Sequence, residues 1–370
     1  MLVGLERSPL LELHQRAGAR LQPGEPPRLL TYGDVPGEYR AAQEGCALFD
    51  DTERGRLEVS GPEAAAFLHR LLANDVRAVA LGGGQRNLLL DSKGKVLFEF
   101  ELYRVEDARF VLSVPPGRAA ALRAALERYH FSEKVAFADS SANYAPLLVL
   151  GPRSDALLKQ VLGCEVPADE FAWATGSFEG APLLAARTRA FGSRAARLVA
   201  TAEQAPHLWS ALRAAGAAAA GIVVRDILRV EAGVALPGED VDEGVYPQEA
   251  RWEDAFSLTK GCYIGQEVVA KIDTYGGLNK RLVVLKVSHD DPLPRGTRLF
   301  RQDEGEWRDL GVVTSWAYSF VLDTGAVLAY VKRRHQKVGT EFRVGDGPAT
   351  AVIVKHPLRA NALPASGEFE

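Results

Sequence analysis

The chain has 370 residues, 47% of them hydrophobic and 25% charged, and a formal net charge of −4. That length suits two or three domains with cores of ordinary size, and a mildly acidic balance without a dense Lys/Arg run argues against nucleic acid as a direct partner. Glu6 and Arg7 interrupt any secretory signal, no window approaches the roughly 18 uninterrupted apolar residues of a membrane span, and three dispersed cysteines speak for a reducing compartment, so a cytoplasmic protein with no membrane partner is expected.

In chain order, "LEVSGPEAAAFLHRLL" (57–72) and "LLVLGPRSDALLKQVL" (147–162) share one plan: a short apolar strand, Gly-Pro, then an amphipathic helix. Pro62 and Pro152 are expected at the first helical position, where a missing N–H costs nothing. Two such units predict two similar α+β lobes. After the first come strands in "RNLLLDSKGKVLFEFELYRV" (86–105) and "ARFVLSVP" (108–115), with a turn at Ser92–Gly94, then a helix in "GRAAALRAALERYH". The second lobe adds a strand pair around a Gly-Ser turn in "LLAARTRAFGSRAARLVAT" and a helix in "APHLWSALRAAGAAAAG". Beyond Gly276-Gly277 the chain turns to short β-rich runs between Gly, Pro and Asp, which predicts a small all-β barrel or sandwich. The tail "RANALPASGEFE" has too little apolar content to pack. Expected boundaries are 30–143 and 144–276 for the lobes, which can exchange segments, and 280–357 for the barrel.

Several motifs are excluded. The Gly82–Gly84 run fits neither a GxxxxGK[ST] nor a GxGxxG frame, there is no GxSxG elbow, and the histidines lack metal-ligand spacing, so no metal is expected. Cys46 and Cys164 read as packing residues. Three stretches carry more. In "TKGCYIGQE" (259–267), Cys262 falls just before a helix start and near Lys260, both of which favour thiolate. Gly261 and Gly265 leave its backbone approachable; the plain alternative is a half-buried small hydrophobe. In "RDILRVEAG" (225–233), Asp226 reads as N-cap and Gly233 as C′ residue of a helix barely two turns long. Glu231 then sits in the last turn, either exposed, paired with Arg225 or Arg229, or facing inwards to accept two N–H bonds from a pterin edge. In "LLANDVRAV" (71–79), Asn74-Asp75 reads as a turn.

Together, "LLANDV", "RDILRVEAG" and "TKGCYIGQEVVAKIDTYGGLNKRL" resemble, in order and spacing, the tetrahydrofolate-dependent aminomethyltransferase superfamily typified by the glycine cleavage T-protein. Lys260 to Glu267 resembles in particular the K-G-C-Y-x-G-Q-E signature of its YgfZ branch. The resemblance runs from about residue 30 to 355 and implies an α+β fold: a three-lobed ring of two related α+β lobes and a C-terminal β-barrel around a central folate pocket. It implies tetrahydrofolate or a derivative as cofactor, bound by Glu231, Asp75, Glu99, Tyr263 and Gln266, with Cys262 and Lys260 as working residues. It also implies a role in iron-sulfur cluster assembly or repair, including for tRNA-modifying enzymes, with iron-sulfur proteins as transient clients. Where the T-protein has G-G-x-x-D-D-L, this chain reads "GKVLFEFELY", with Phe98 and Glu99 at the acid pair. The alternatives are a folate-dependent aminomethyltransferase or other one-carbon transfer enzyme using Glu99 or Asp75, and a folate-binding scaffold with a structural Cys262.

Overall fold

The computed structural model describes residues 8–24, 26–303, 305–360 and 362–363. Glu6 and Arg7, and the tail from residue 364 on, lie outside the described residues. Two compact units emerge: residues up to Leu88 with Phe98–Val224, and Leu89–Leu97 with the chain from Arg225 onward. The fold is α+β, with two sheet-and-helix lobes and a closed barrel, as expected.

Unit 1 holds two large sheets and a two-stranded ribbon, Arg20–Gln22 with Arg28–Thr31. The first runs in the order Gly84–Leu90, Val96–Glu106, Arg109–Val114, Gly55–Ser60, Ala136–Asp139. The second runs Trp173–Phe178, Ala181–Ala190, Ser193–Thr201, Tyr144–Leu150, Ala47–Asp50, Ala218–Ala220, so it takes a strand from the chain segment that precedes the first sheet. Helices Ser154–Leu162 and Ala205–Ala214 cover it, their Leu157, Leu158, Leu208, Trp209 and Leu212 packing with Leu147, Val149, Leu183 and Leu198 in one core. Cys46 belongs to that core, where burial pushes its thiol up to about 12, and Cys164 packs against it.

The repeated strand-Gly-Pro-helix plan is present twice, at Gly55–Ser60 with Ala64–Leu71 and at Tyr144–Leu150 with Ser154–Leu162. The prolines are not the first helical residues; each helix starts two residues later, leaving the proline in the connecting turn. The preceding glycines are needed for close approach as well as turning. A Cβ on Gly61 (φ 126°) would meet the Lys134 carbonyl oxygen at 2.1 Å, and one on Gly151 (φ 116°) the Gly45 carbonyl oxygen at 2.5 Å.

Three local expectations change. The alanine run 217–220 does not extend its helix. Gly216 (φ 104°) follows the helix end, and Ala218–Ala220 add as a parallel strand to Ala47–Phe49. The hairpin in 183–201 turns on Phe191-Gly192, both at positive φ, and Ser193 already pairs with Ala190. The helix carrying Glu231 runs Ile222–Ala232, three turns, so Asp226 is inside it rather than at its cap.

In unit 2, strands Lys280–Val287, Thr324–Lys332, Glu306–Ser319, Arg298–Asp303, Glu341–Val344 and Thr350–Ile353 close in that order into the barrel. Alternate residues Val283, Leu285 and Val287 on one strand, and Val327, Ala329 and Val331 on the next, fill the interior with Phe342 and Ile353. The start of the tail packs, contrary to expectation. The Leu358 N–H donates to the Glu231 carbonyl at 2.8 Å, Arg359 Nη2 donates to the Leu228 carbonyl at 3.1 Å, and Ala362 is buried. Backbone and guanidinium bonds to the helix supply what the composition does not.

Candidate functional site

In unit 1, the part of strand Val96–Glu106 from Phe98 onward places successive side chains on opposite faces. Phe100 and Leu102 are buried on one face, and Glu99, Glu101 and Tyr103 share the other. Phe98, at the first acid-pair position, lies under the Arg118 guanidinium, 4.6 Å from the ring centroid. Glu99 accepts from Arg86 Nε on the neighbouring strand at 2.7 Å through Oε1. Two residues on, Glu101 accepts from Arg197, from Thr188 Oγ1 at 2.9 Å and from the Tyr103 hydroxyl at 2.7 Å, with Arg54 Nη2 at 3.9 Å. Burial alone would raise the Glu101 carboxyl, but Arg197 and Arg54 outweigh it and hold it at about 2. Arg197 also donates to Asp51 at 2.9 Å, so this ionic cluster joins the two sheets of the unit.

The "LLAND" stretch serves the same neighbourhood through its asparagine. Asn74 Nδ2 donates to the Arg86 carbonyl at 2.9 Å, and the Asn74 N–H donates to Asn87 Oδ1 at 2.9 Å. Asn87 is fully buried, and its Nδ2 has no hydrogen-bond partner among the described residues. Asp75, in contrast, caps the short 3-10 turn Val76–Ala78, accepting from the Arg77 and Ala78 N–H groups. Neither Arg86 nor Asn87 is singled out by the sequence, and Asn74 reads there only as a turn residue. Strand alternation places Arg86 and Glu99 on facing sides only once the register of their hairpin is known.

In unit 2, Glu231 is completely buried, and its carboxylate is engaged by the chain itself. Oε1 accepts from Ser319 Oγ at 2.8 Å and from the Val321 N–H at 3.3 Å, and Oε2 lies 3.4 Å from Arg359 Nε. Its partners are therefore the barrel and the tail. Arg229 belongs to a separate buried cluster, donating to Asp226, Asp240 and Glu239 at 2.7–2.8 Å.

The motif 259–267 is also in this unit. Cys262 is an exposed free thiol, and the helix Gln266–Tyr275 starts four residues later, after Gly265 at φ 81°. Lys260 Nζ sits 5.3 Å from the Tyr263 ring centroid. Tyr263 is 7% exposed, and burial pushes its hydroxyl up to about 12; that oxygen has no hydrogen-bond partner among the described residues. Gln248, 4% exposed, donates Nε2 to the Val269 carbonyl of the same helix at 3.0 Å and leaves Oε1 unpartnered among the described residues. Gly265 does not serve the thiol. A Cβ there would meet the Asp91 carbonyl oxygen at 2.5 Å and Gly94 Cα at 2.8 Å, so it seats the tip of the 84–106 hairpin backbone against backbone. The structure thus groups Lys260, Tyr263 and Gln266 on one segment, with Gln248 beneath their helix. Glu231 is engaged elsewhere in unit 2, and Asp75 and Glu99 belong to unit 1.

Residues 23–260 match the GCVT N-terminal domain family and residues 280–358 the glycine cleavage T-protein C-terminal barrel domain. The chain belongs to the glycine cleavage T-protein family. An aminomethyltransferase of Symbiobacterium thermophilum is 32% identical over 357 residues, covering 92% of this chain and 93% of its own. One from Chlorobium luteolum is 30% identical over 350 residues, covering 92% and 94%. The crystal structure of the glycine cleavage system aminomethyltransferase T from Bartonella henselae superposes with a TM-score of 0.86 at 24% identity, covering 98% of this chain and all of that one, and shows the same fold.

Membership of the T-protein family corrects the expected function. These relatives, similar along nearly the whole chain, are aminomethyltransferases by name, which overturns the iron-sulfur cluster role and the client proteins that went with it. The reason for making Cys262 the working thiol goes too. What remains of that expectation is an exposed thiol on a turn built around glycines. No helix among the described residues is long and apolar enough to cross a membrane.

Proposed function

We propose that this T-protein family member transfers an aminomethyl group to tetrahydrofolate. The observation that carries the reading is the similarity, at about 30% identity over 92% of the chain, to proteins named aminomethyltransferase. The cofactor is tetrahydrofolate, whose N5 and N10 are the nucleophiles that accept the one-carbon unit. The residues present fit a pterin, which offers donors and acceptors along its edge. Buried polar atoms left without a partner cost roughly 1–3 kcal/mol each, and a ligand that pairs with them removes that cost. The Tyr263 hydroxyl and Gln248 Oε1, both in unit 2, are such atoms. Lys260 and Gln266 flank Tyr263 and belong with it as pocket candidates. Glu231 is a weaker one, because a pterin would have to displace Ser319 or Arg359.

In this reading Glu99 moves the proton. Passing the one-carbon unit from its carrier to two folate nitrogens would release two N–H protons, one taken by the departing carrier and one by the amine that leaves as ammonia, and a positioned carboxylate would carry the latter. Of the acid pair only Glu99 can do this, since Phe98 is aromatic and faces Arg118. Within the family, "KGCYIGQE" supports a place on the YgfZ-type branch, and three free cysteines support a cytoplasmic setting.

The test supplies purified protein with tetrahydrofolate and an aminomethyl donor and follows ammonia release. Turnover is expected to fall at least about a hundredfold with Glu99→Gln and to survive Cys262→Ala. Absence of ammonia release by the wild-type protein removes the reading.

A further inference from the structure

Glu99 is one methylene longer than the aspartate of the T-protein pattern, so its carboxyl has an extra torsion to be fixed. A side chain of this kind loses up to about 2 kcal/mol of rotamer freedom when ordered, and a displacement of about 1 Å at a reacting centre can cost about a hundredfold in rate. If Glu99 is to carry a proton, something must hold it.

The neighbouring strand supplies the holder. Arg86 Nε donates to Oε1 at 2.7 Å, and both side chains are largely enclosed, 18% and 10% exposed. Oε2 has no hydrogen-bond partner among the described residues and is not sealed from solvent. A salt bridge serving stability alone gains most by engaging both oxygens of the carboxylate, as Arg-carboxylate forks do. Here one oxygen is gripped and the other presented. Arg86 is in turn fixed by the "LLAND" asparagine: Asn74 Nδ2 holds the Arg86 carbonyl at 2.9 Å, and the Asn74 N–H holds Asn87 Oδ1 on the next residue. Two contacts in series thus run from Asn74, just beyond helix Ala64–Leu71, to the carboxylate, with the Asn74–Asn87 bond beside them.

We propose that Arg86 is a positioning residue that presents Glu99 Oε2 for proton transfer, a role that rests on the aminomethyl-transfer reading above. The Nε–H, held rigidly in the guanidinium plane, offers Oε1 one directed donor, which a lysine ammonium, a point charge on a flexible stem, does not. The "LLAND" asparagine contributes by pinning the strand at Arg86.

The experiment compares wild type, Arg86→Ala, Arg86→Lys and Glu99→Gln in steady-state ammonia release, with and without millimolar guanidinium, each variant checked for native near-ultraviolet circular dichroism. Arg86→Ala is expected to lose about a hundredfold in kcat while KM for tetrahydrofolate stays within about twofold. Guanidinium is expected to restore at least about tenfold of that loss and to leave Glu99→Gln unchanged, and Arg86→Lys is expected to fall between. If Glu99→Gln abolishes turnover but folded Arg86→Ala keeps its kcat, or gains nothing from guanidinium, the positioning role is overturned and the transfer reading stands. If the wild type releases no ammonia, the transfer reading falls and this role with it; if Glu99→Gln matches an active wild type, the transfer stands and the positioning role is overturned. Should Arg86→Ala not fold, Arg86→Lys decides: a lowered kcat at unchanged KM supports the role, and an unchanged kcat overturns it.

Discussion

At the scale of single residues, two carboxylates that look alike in the sequence do different work. Glu231 sits in the last turn of its helix, where the dipole disfavours a carboxylate. The structure answers with donors from outside the helix: Ser319 Oγ, the Val321 N–H and Arg359. Removing one partner of a fully buried ion pair leaves the other charge uncompensated, typically at about 3–5 kcal/mol. Glu231→Ala is accordingly expected to lower unfolding free energy by that order in urea titrations, and a loss below about 1 kcal/mol would show that Arg359 finds solvent without it. The cysteines divide in the same way. Cys262 is exposed, and Cys46 is buried with its thiol pushed up to about 12. Iodoacetamide under native conditions is expected to label Cys262 while Cys46 stays unmodified until the protein is denatured, with peptide mass spectrometry as the readout.

Among elements, the Glu101–Arg197 contact joins strand Val96–Glu106 of one sheet to strand Ser193–Thr201 of the other. Its pH dependence has a definite sign. The folded carboxyl is depressed from 4.5 to about 2, so the stability it contributes is present above about pH 4.5 and lost as the pH falls towards about 2. Unfolding free energy should decline over that window by on the order of 3 kcal/mol from this group. Glu101→Gln, already destabilised at neutral pH, should show a flatter profile between about pH 5 and 2, and an equally steep one would assign the acid sensitivity to other carboxylates. Much at this scale was legible beforehand. Alternation in 86–115, the Gly-Pro echo and the β-rich run after residue 276 all produced the expected strands, helices and barrel, because one period or one turn residue decided each. The misses share a cause. Ala218–Ala220 look helical by propensity but are small enough to pair with Ala47–Phe49, and the helix Ile222–Ala232 begins before the Asp226 that resembled its cap, because Asp226 serves Arg229 instead. Tertiary partners distant in sequence overrode local preference. The Arg86–Glu99 pair was hidden for the same reason, since Arg86 carries no local signal and only the hairpin brings it to Glu99.

On the scale of the whole molecule, the chain enters unit 2 twice, first through the nine residues Leu89–Leu97 and then from Arg225 onward. The first visit is the tip of a hairpin whose strands belong to unit 1. Within unit 2 the tip is held by main-chain bonds and close backbone packing, beside the buried side chains of Leu89, Leu90 and Val96. The Val96 N–H donates to the Val245 carbonyl at 3.0 Å, and Lys95 Nζ donates to the Gly244 carbonyl at 2.8 Å and lies 3.1 Å from the Tyr246 ring centroid. Gly94 and Gly265 meet backbone to backbone, at positions where a Cβ on Gly265 would come within 2.5 Å of the Asp91 carbonyl oxygen. Cooperative units exchange their amide hydrogens together. Hydrogen exchange followed by mass spectrometry in rising denaturant should therefore show the 89–97 amides opening with 244–269 rather than with the strands on either side. Gly265→Val adds a β-branched side chain at a positive φ where even one carbon clashes, so it should free the tip selectively, raising exchange at 91–97 and leaving 109–114 protected. Uniform protection along the whole of 84–106 in both proteins would mean that the hairpin opens as one piece with unit 1. In that case the second glycine of "KGCYIGQE" would answer to something other than the hairpin it touches.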